Sequence, residues 1–268
     1  WELIFWDNRS TDNSLNIFKK FKDKRLKYFL SQNHTILYEG RNLAIQKASG
    51  EFIAFLDTDD IWLPDKLEKQ IPLFDDLDVG LVYGNCWLYN KSNIFKKKKI
   101  FSKNKLSRGK ISKSLIQDYK IGLVTMVIRK SFIKNDKEIF NTDYDLLADF
   151  DFSLKFSLKY KFDCVQEPIA IYRRHENQLS RKSFGDLVNQ LEKWFLNFKI
   201  SIDKKLLNET KIIESRIEYM KVIKLIYEKK YLRSILSIIK YPFGLKKIKL
   251  IIIFLLPDFL LKNIRDFT

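Results

Sequence analysis

Three carboxylates lie close together directly after a short apolar run. Residues 52–56 (FIAFL) end at Asp57, and Asp59 and Asp60 follow within three positions. Carboxylates at this spacing repel one another unless a cation lies among them. Mg²⁺ and Mn²⁺ take oxygen ligands and bridge carboxylates to a diphosphate. The spacing therefore predicts a site for a divalent metal and a diphosphate; the alternative is a polar turn that caps the next helix.

The elements around this cluster predict an α/β protein. The run at 52–56 is continuously apolar, as expected of a strand buried on both faces of a parallel sheet. Similar short runs at 3–6, 25–29 and 81–83 predict further strands, and 41–48 has the pattern of a helix. This alternation predicts a mostly parallel sheet flanked by helices. Ligands of such sheets bind outside the carboxyl ends of the strands, which is where the aspartates lie.

The C-terminal third has a different pattern, so we expect two domains, 1–180 and 181–268. Beyond residue 180, apolar residues recur at intervals of three and four, which predicts a region of long helices. The stretch 241–264 joins several lysines to the apolar run 250–256, and Pro257 and Asp258 interrupt that run. A membrane span needs about 20 apolar residues. We therefore expect this stretch to lie along an anionic membrane surface; the alternatives are that it covers the first domain or forms a dimer.

The composition calls for an anionic partner. The formal net charge is +17, from 50 Lys and Arg against 33 Asp and Glu. Nucleic acid, an acidic membrane face and phosphorylated substrates could each balance it. The lysines alternate with Ile, Leu and Phe, and no helix-turn-helix, zinc-ligand or RNA-binding aromatic motif is present, so nucleic acid is not expected. The 2 cysteines are too few for a disulfide framework. We expect a cytoplasmic protein, peripheral on the inner face of the cell membrane.

Several segments resemble the family 2 glycosyltransferases. Residues 1–14 (WELIFWDNRSTDNS) are similar to the second-strand segment of that family, and residues 40–45 (GRNLAI) with 48–68 (ASGEFIAFLDTDDIWLPDKLE) to its metal-binding segment. Residues 148–151 (ADFD) resemble its acidic catalytic segment. Residues 167–168 (EP) and 172–180 (YRRHENQLS) resemble its closing segment. The resemblance covers about residues 1–180.

The resemblance implies a GT-A fold, a nucleoside-diphosphate-sugar donor, a divalent ion (Mn²⁺ or Mg²⁺) and inversion at the anomeric carbon. Asp57 and Asp59 correspond to the D-x-D pair, with Asp60 adjacent, and would contact the ribose and the metal. Asp149 would be the general base that takes the acceptor's hydroxyl proton; its alternative is a carboxylate on a helix surface. His175 would contact the metal or the diphosphate, or else make a structural hydrogen bond in a loop.

Further residues are implied at the nucleotide end of the site. Asp7 and Asn8 occupy the place where the family contacts the base, and the family often has two consecutive aspartates there. Arg41 would neutralise diphosphate charge. The same role is open to three other basic residues, each of which could instead be a solvated surface residue: Lys155, Arg173 and Arg174.

The expected activity is that of a metal-dependent hexosyltransferase. It would move a sugar to a hydroxyl acceptor, a glycan or a lipid-linked glycan, in the synthesis of a bacterial surface polysaccharide such as lipopolysaccharide, capsule or O-antigen. Family members normally open with a strand and a loop that precede the segment matched at Trp1. We therefore expect either a truncated chain or an incomplete pocket. The alternative function is a catalytically incomplete remnant that binds a nucleotide or carbohydrate.

Overall fold

The computed structural model describes residues 1–90, 99–134, 136, 138–175, 184–201 and 207–257. The chain divides into two compact units, Trp1–His175 and Glu176–Thr268. The predicted catalytic role of domain 1–180 and membrane role of domain 181–268 stay predictions.

The first unit alternates strands with short helices. Its strands are β1 Leu3–Asp7, β2 Leu26–Leu30, β3 Phe52–Ala54, β4 Ile61–Trp62, β5 Val79–Asn90, β6 Lys99–Ile100, β7 Val127–Arg129 and β8 Lys161–Arg174. Its α-helices are α1 Ser14–Phe18, α2 Leu37–Lys47, α3 Lys66–Gln70, α4 Ser112–Gln117 and α5 Ala148–Lys159. Short 3-10 turns at Ile71–Phe74, Leu123–Thr125 and Lys130–Phe132 complete it.

The described strands form two sheets. β1 and β2 make a parallel pair, and the larger sheet has the order β3-β7-β5-β8-β4, with β6 added to β5. β5 and β8 run parallel at its centre, where apolar side chains of β5 such as Leu81 and Val82 are fully buried. Because adjacent residues of a strand point to opposite faces, burial of both shows that the sheet is covered on both faces here.

The α/β class, the sheet with flanking helices and the helical C-terminal region are confirmed, but the sheet is not mostly parallel. Among the described strands two pairings are parallel, β1 with β2 and β5 with β8. The pairings β3–β7, β4–β8, β5–β6 and β5–β7 are antiparallel. The apolar run at 52–56 led us to predict parallel pairing for this strand, which is wrong. Continuous hydrophobicity indicates that a strand is buried on both faces, but it does not indicate whether the neighbouring strand runs parallel or antiparallel to it.

An aromatic cluster centred on Phe140 joins the three segments that carry the predicted site. The ring of Phe140 packs at 5.2 Å from Tyr38 of α2, 5.5 Å from Phe55 just beyond β3 and 5.5 Å from Phe152 of α5. Asn42 of α2 reinforces the cluster, because its amide accepts from the Phe140 N–H at 3.0 Å and donates to the Phe140 carbonyl at 2.8 Å. These contacts fix α2, the end of β3 and α5 against one another.

The second unit is helical within its described residues. Its helices are α6 Phe184–Ser201, α7 Leu207–Tyr227, α8 Tyr231–Lys240 and α9 Leu245–Leu255. Val188, Ile223 and Leu250, from α6, α7 and α9, are fully buried in one core cluster. None of the described helices is both long and apolar enough to cross a membrane. The predicted surface stretch beyond residue 257 lies outside the described residues.

Candidate active site

The three aspartates that follow β3 converge on one point. The chain turns directly after the strand, with the Asp60 N–H donating to the Asp57 carbonyl at 3.0 Å. This turn brings carboxylate oxygens of Asp57, Asp59 and Asp60 within 4.8 Å of one another. The structure therefore brings together the acidic cluster that the sequence predicts.

The end of β8 holds this acidic turn in place. The Arg173 N–H donates to Oδ1 of Asp60 at 2.9 Å, and its guanidinium donates to the carbonyls of Thr58 and Asp59. Two residues on, Nε2 of His175 lies 2.9 Å from Oδ2 of Asp59. Arg173 thus braces the backbone of the turn, whereas His175 reaches one of its carboxylates. The predicted closing-segment residues 176–180 lie outside the described residues.

The charge of this cluster suits a cation. Asp60 is buried, and burial, with the nearby carboxylates of Asp59 and Asp57 adding to it, raises its pKa to about 7. Such a carboxyl keeps its proton near neutral pH unless a positive charge replaces it. Asp57 and Asp59 are half-buried and remain open on one side. Three convergent oxygen ligands are the donor set that Mn²⁺ and Mg²⁺ take, so these residues fit the metal that the sequence predicts.

Arg41 connects the acidic turn to the predicted base. It lies on α2, its Nη2 is 2.6 Å from Oδ1 of Asp57, and its side chain is largely buried. The guanidinium carbon is 4.7 Å from the ring centre of Tyr38, one turn earlier on α2. Its charge also acts on Asp149 of α5. Arg41 thus acts on the carboxylates of Asp57 and Asp149, and its predicted contact with a diphosphate stays a prediction.

Asp149 lies in the first turn of α5, where a carboxylate is favoured by the exposed N–H groups of the helix. Burial raises its pKa above the ordinary value, while the Phe150 N–H, Arg41 and the Tyr38 hydroxyl act to favour the charged form. A carboxylate with a raised pKa is a stronger base than an exposed one. Asp149 is therefore coupled electrostatically to Tyr38 and Arg41 of α2, and its role as the general base stays a prediction.

Asp7 and Asn8, at the end of β1, are held by local hydrogen bonds. Asp7 is buried, and burial alone would raise its pKa, but donation from the Tyr28 hydroxyl at 2.5 Å and the Ser10 N–H at 2.7 Å holds the pKa below the ordinary value. The Asn8 amide both donates to and accepts from Thr35, at 2.7 and 3.0 Å. Asp7 thus orders the loop after β1 and Asn8 the loop that leads into α2, and their predicted contact with the base stays a prediction.

One residue beside the predicted base, Tyr38, was not predicted from the sequence. Tyr38 is buried beside Asp149, three residues before Arg41 and hence on the same face of α2, a spacing that could have identified it. Arg173, for which a diphosphate role and a solvated position were both open, braces the acidic turn through its guanidinium. Lys155, for which the same two roles were open, pairs with Asp151 at 2.8 Å. Contact of either residue with a diphosphate stays a prediction. The pairing of β8 with β5 extends to Arg174.

Comparison with known proteins identifies the family. The model described as "Glycosyl transferase family 2" matches residues 1–136. The chain is 30% identical over 196 residues to the UDP-Glc:alpha-D-GlcNAc-diphosphoundecaprenol beta-1,3-glucosyltransferase WfgD of Escherichia coli, covering 71% of this chain and 72% of that protein. The chain belongs to the family 2 glycosyltransferases, as its sequence motifs indicated.

Solved structures confirm the fold. S. aureus TarS 1-349 in complex with UDP-GlcNAc superposes with a TM-score of 0.58 at 16% identity, over 84% of this chain and 76% of that one. The mannosyltransferase PcManGT from Pyrobaculum calidifontis, in complex with GDP-Man and Mn2+, gives a TM-score of 0.59 at 14% identity, over 93% and 69%. The fold is therefore of the GT-A type, and the protein is a glycosyltransferase.

Proposed function

We propose that this protein is an inverting, metal-dependent hexosyltransferase that moves a sugar from a nucleoside diphosphate to a hydroxyl of a lipid-linked glycan. The observation that carries this proposal is the continuity of the site. The three carboxylates converge within 4.8 Å, and Arg41 links Asp57 to Asp149. One end of the site can therefore hold a metal diphosphate while the other removes a proton.

In this mechanism Asp59, Asp60 and His175 would hold the divalent ion. When bound, the ion neutralises charge on the donor diphosphate and so improves it as a leaving group. Asp57, paired with Arg41 at 2.6 Å, would contact the ribose of the donor. Arg173 keeps the turn rigid through its bonds to the backbone carbonyls, so that the carboxylates need little rearrangement when the donor binds.

Asp149 acts on the acceptor. Its carboxylate takes the hydroxyl proton as the acceptor oxygen attacks the anomeric carbon from the face opposite the diphosphate. The bond between the anomeric carbon and the phosphate oxygen breaks, its electron pair leaves with the diphosphate, and the configuration inverts. Tyr38 and Arg41 favour the charged form of Asp149 before the proton is taken.

The relatives support the substrate class. WfgD is named for UDP-Glc as donor and a diphosphoundecaprenol-linked sugar as acceptor. A GalNAc(5)-diNAcBac-PP-undecaprenol beta-1,3-glucosyltransferase of Campylobacter jejuni is 32% identical over 148 residues. We propose the same class here: a nucleoside-diphosphate hexose and a lipid-diphosphate glycan that is extended at the inner face of the cell membrane into a surface polysaccharide.

The test is transfer by the full chain from UDP-Glc, UDP-GlcNAc and GDP-Man to synthetic lipid-diphosphate glycans, with Mn²⁺ or EDTA, and NMR of the new glycosidic bond. An α-linked donor should give a β-linked product. Asp149→Asn should retain donor binding and lose transfer by about 10²- to 10⁴-fold. Asp186→Asn, the same chemical change on an exposed residue of α6, should transfer normally.

Three results would contradict the proposal. A product that retains the donor configuration would contradict the single-displacement mechanism, and near-normal transfer by Asp149→Asn would remove that residue as the base. Donor binding without transfer to any acceptor by the unaltered chain would favour the nucleotide-binding remnant instead.

A further inference from the structure

The helix α8 exposes a complete apolar stripe. Leu232, Ile235, Leu236 and Ile239 recur at intervals of three, one and three, the spacing that places side chains on one face of a helix. That face normally packs against a core, yet all four side chains are exposed, Leu232 to 72%. The core of this unit is contacted by the other face of α8, through Ser234 and Ile238.

The helix α9 repeats this arrangement beside α8. Its buried residues are Leu250 and Ile253, while Leu245, Ile252 and Leu255 are exposed, the first and last to 79% and 73%. Phe243, in the connection between the two helices, is 90% exposed. A cavity of about 330 Å³ lies between α8 and α9, lined mainly by isoleucine, phenylalanine and leucine side chains. The two stripes and the connection form a single surface, here called the α8–α9 face.

The segment that carries the α8–α9 face is basic, and Glu228, just before it, pairs with Lys230 at 2.6 Å. Residues 229–257 contain no Asp or Glu, and their basic residues are Lys229, Lys230, Arg233, Lys240, Lys246, Lys247 and Lys249. A second copy of the chain would bring the same positive charge to the interface and so be repelled. An anionic lipid surface instead attracts each nearby Lys or Arg, with about a fivefold gain in binding per residue.

We propose that the α8–α9 face is an interfacial docking surface for an anionic lipid bilayer. α9 has 11 residues and is therefore about 16 Å long, roughly half the thickness of the hydrocarbon core, so it lies along the interface and does not span it. The apolar stripes and Phe243 enter the boundary between headgroups and acyl chains, and the lysines remain among the headgroups. This inference rests on the proposed function only in that a docked enzyme would meet a lipid-linked acceptor.

The test is flotation of the full chain with vesicles of phosphatidylcholine, with and without 30% phosphatidylglycerol. We expect binding to the anionic vesicles and at least tenfold weaker binding to the neutral ones, because the charge attraction is lost. The triple variant Leu232→Ser, Phe243→Ser and Leu255→Ser should bind the anionic vesicles at least tenfold more weakly. Its three side chains are exposed, so the fold should be kept.

A matched control and a charge variant separate the contributions. Leu77→Ser removes an equally exposed leucine, 76%, from the first unit and should float as the unaltered chain does. Lys246→Gln with Lys249→Gln should weaken binding to the anionic vesicles alone. Lys247 is left in place because its Nζ donates to the Ile239 carbonyl at 2.7 Å and so stabilises the pair of helices.

Two outcomes would overturn the inference: failure of the unaltered chain to float, or undiminished flotation of the triple variant. If the triple variant floats undiminished and also converts a dimer to a monomer, the face is assigned to contact between copies. Mn²⁺-dependent binding of the donor panel (UDP-Glc, UDP-GlcNAc and GDP-Man), measured on the same samples, tests the proposed function separately. Loss of flotation by the triple variant with retained donor binding supports docking. Flotation of the unaltered chain without donor binding contradicts the catalytic proposal alone.

Discussion

Tyr38→Phe is expected to move the acid limb of the pH–rate profile to higher pH. The Tyr38 hydroxyl, buried beside Asp149, favours the charged form of that carboxylate and so lowers its pKa, against the larger effect of burial, which raises it. Removal of the hydroxyl therefore raises the pKa of Asp149 further. An ordinary hydrogen bond contributes about 1 kcal/mol, which corresponds to about 0.7 pH unit.

The assay is kcat/KM for sugar transfer from pH 5 to 8 at saturating Mn²⁺, because the base must be deprotonated to accept the acceptor's proton. The limb of Tyr38→Phe should lie about 0.7 pH unit above that of the unaltered chain, with the rates converging at high pH. Tyr83→Phe is the control, since its buried hydroxyl donates to the Ser107 carbonyl at 2.7 Å and not to a carboxylate. An unchanged limb, or a shift to lower pH, would refute the role assigned to Tyr38.

Three further predictions concern stability and metal binding. Gly80→Ala should lower the free energy of unfolding by about 1–3 kcal/mol in urea denaturation, because its Cβ would lie 2.8 Å from atoms of Phe156 and Tyr160. Gly122→Ala, with open space around it, should be near neutral. Equal losses in the two variants would contradict this packing. His175→Gln should weaken Mn²⁺ binding in calorimetry on the order of tenfold, and the exposed His34→Gln should not; unchanged affinity in both would remove His175 as a ligand. Burial raises the pKa of Asp60 to about 7, so its contribution to stability is present below the ordinary carboxyl pKa of about 4 and is lost as pH rises through 7. In thermal unfolding without metal, the melting temperature of the unaltered chain should therefore fall over this pH range relative to that of Asp60→Asn. Parallel plots of melting temperature against pH for the two proteins would contradict this.

Local sequence was sufficient to predict the acidic turn. The apolar run before Asp57 and the spacing of Asp59 and Asp60 all lie within one short segment of the sequence. The structure brings the carboxylates of the three aspartates together as expected. The direction of the neighbouring strands was not accessible in this way. β3 pairs with β7 from far along the chain, and antiparallel and parallel partners bury the same apolar side chains.

Contacts between distant segments explain the remaining differences. The influence of Tyr38 and Arg41 on Asp149 arises only once Phe140 packs α2 and α5 together. The positively charged side chain of Arg173 has the chemistry of a diphosphate-binding residue. Its guanidinium instead satisfies two backbone carbonyls of the acidic turn, a need that no sequence pattern displays. Pattern therefore identified the residue types of the site, while their partners depended on tertiary packing.

The most direct measurement is calorimetric binding of a nucleotide-sugar panel (UDP-Glc, UDP-GlcNAc and GDP-Man) to the unaltered chain and to Asp59→Asn, each with Mn²⁺ and with EDTA. If a divalent ion joins the acidic turn to the donor phosphates, one sugar nucleotide should bind the unaltered chain at least about tenfold more tightly with Mn²⁺ than with EDTA. Asp59→Asn should lose that difference, and Asp186→Asn should keep it. Equal donor affinity with and without metal in the unaltered chain would contradict the account.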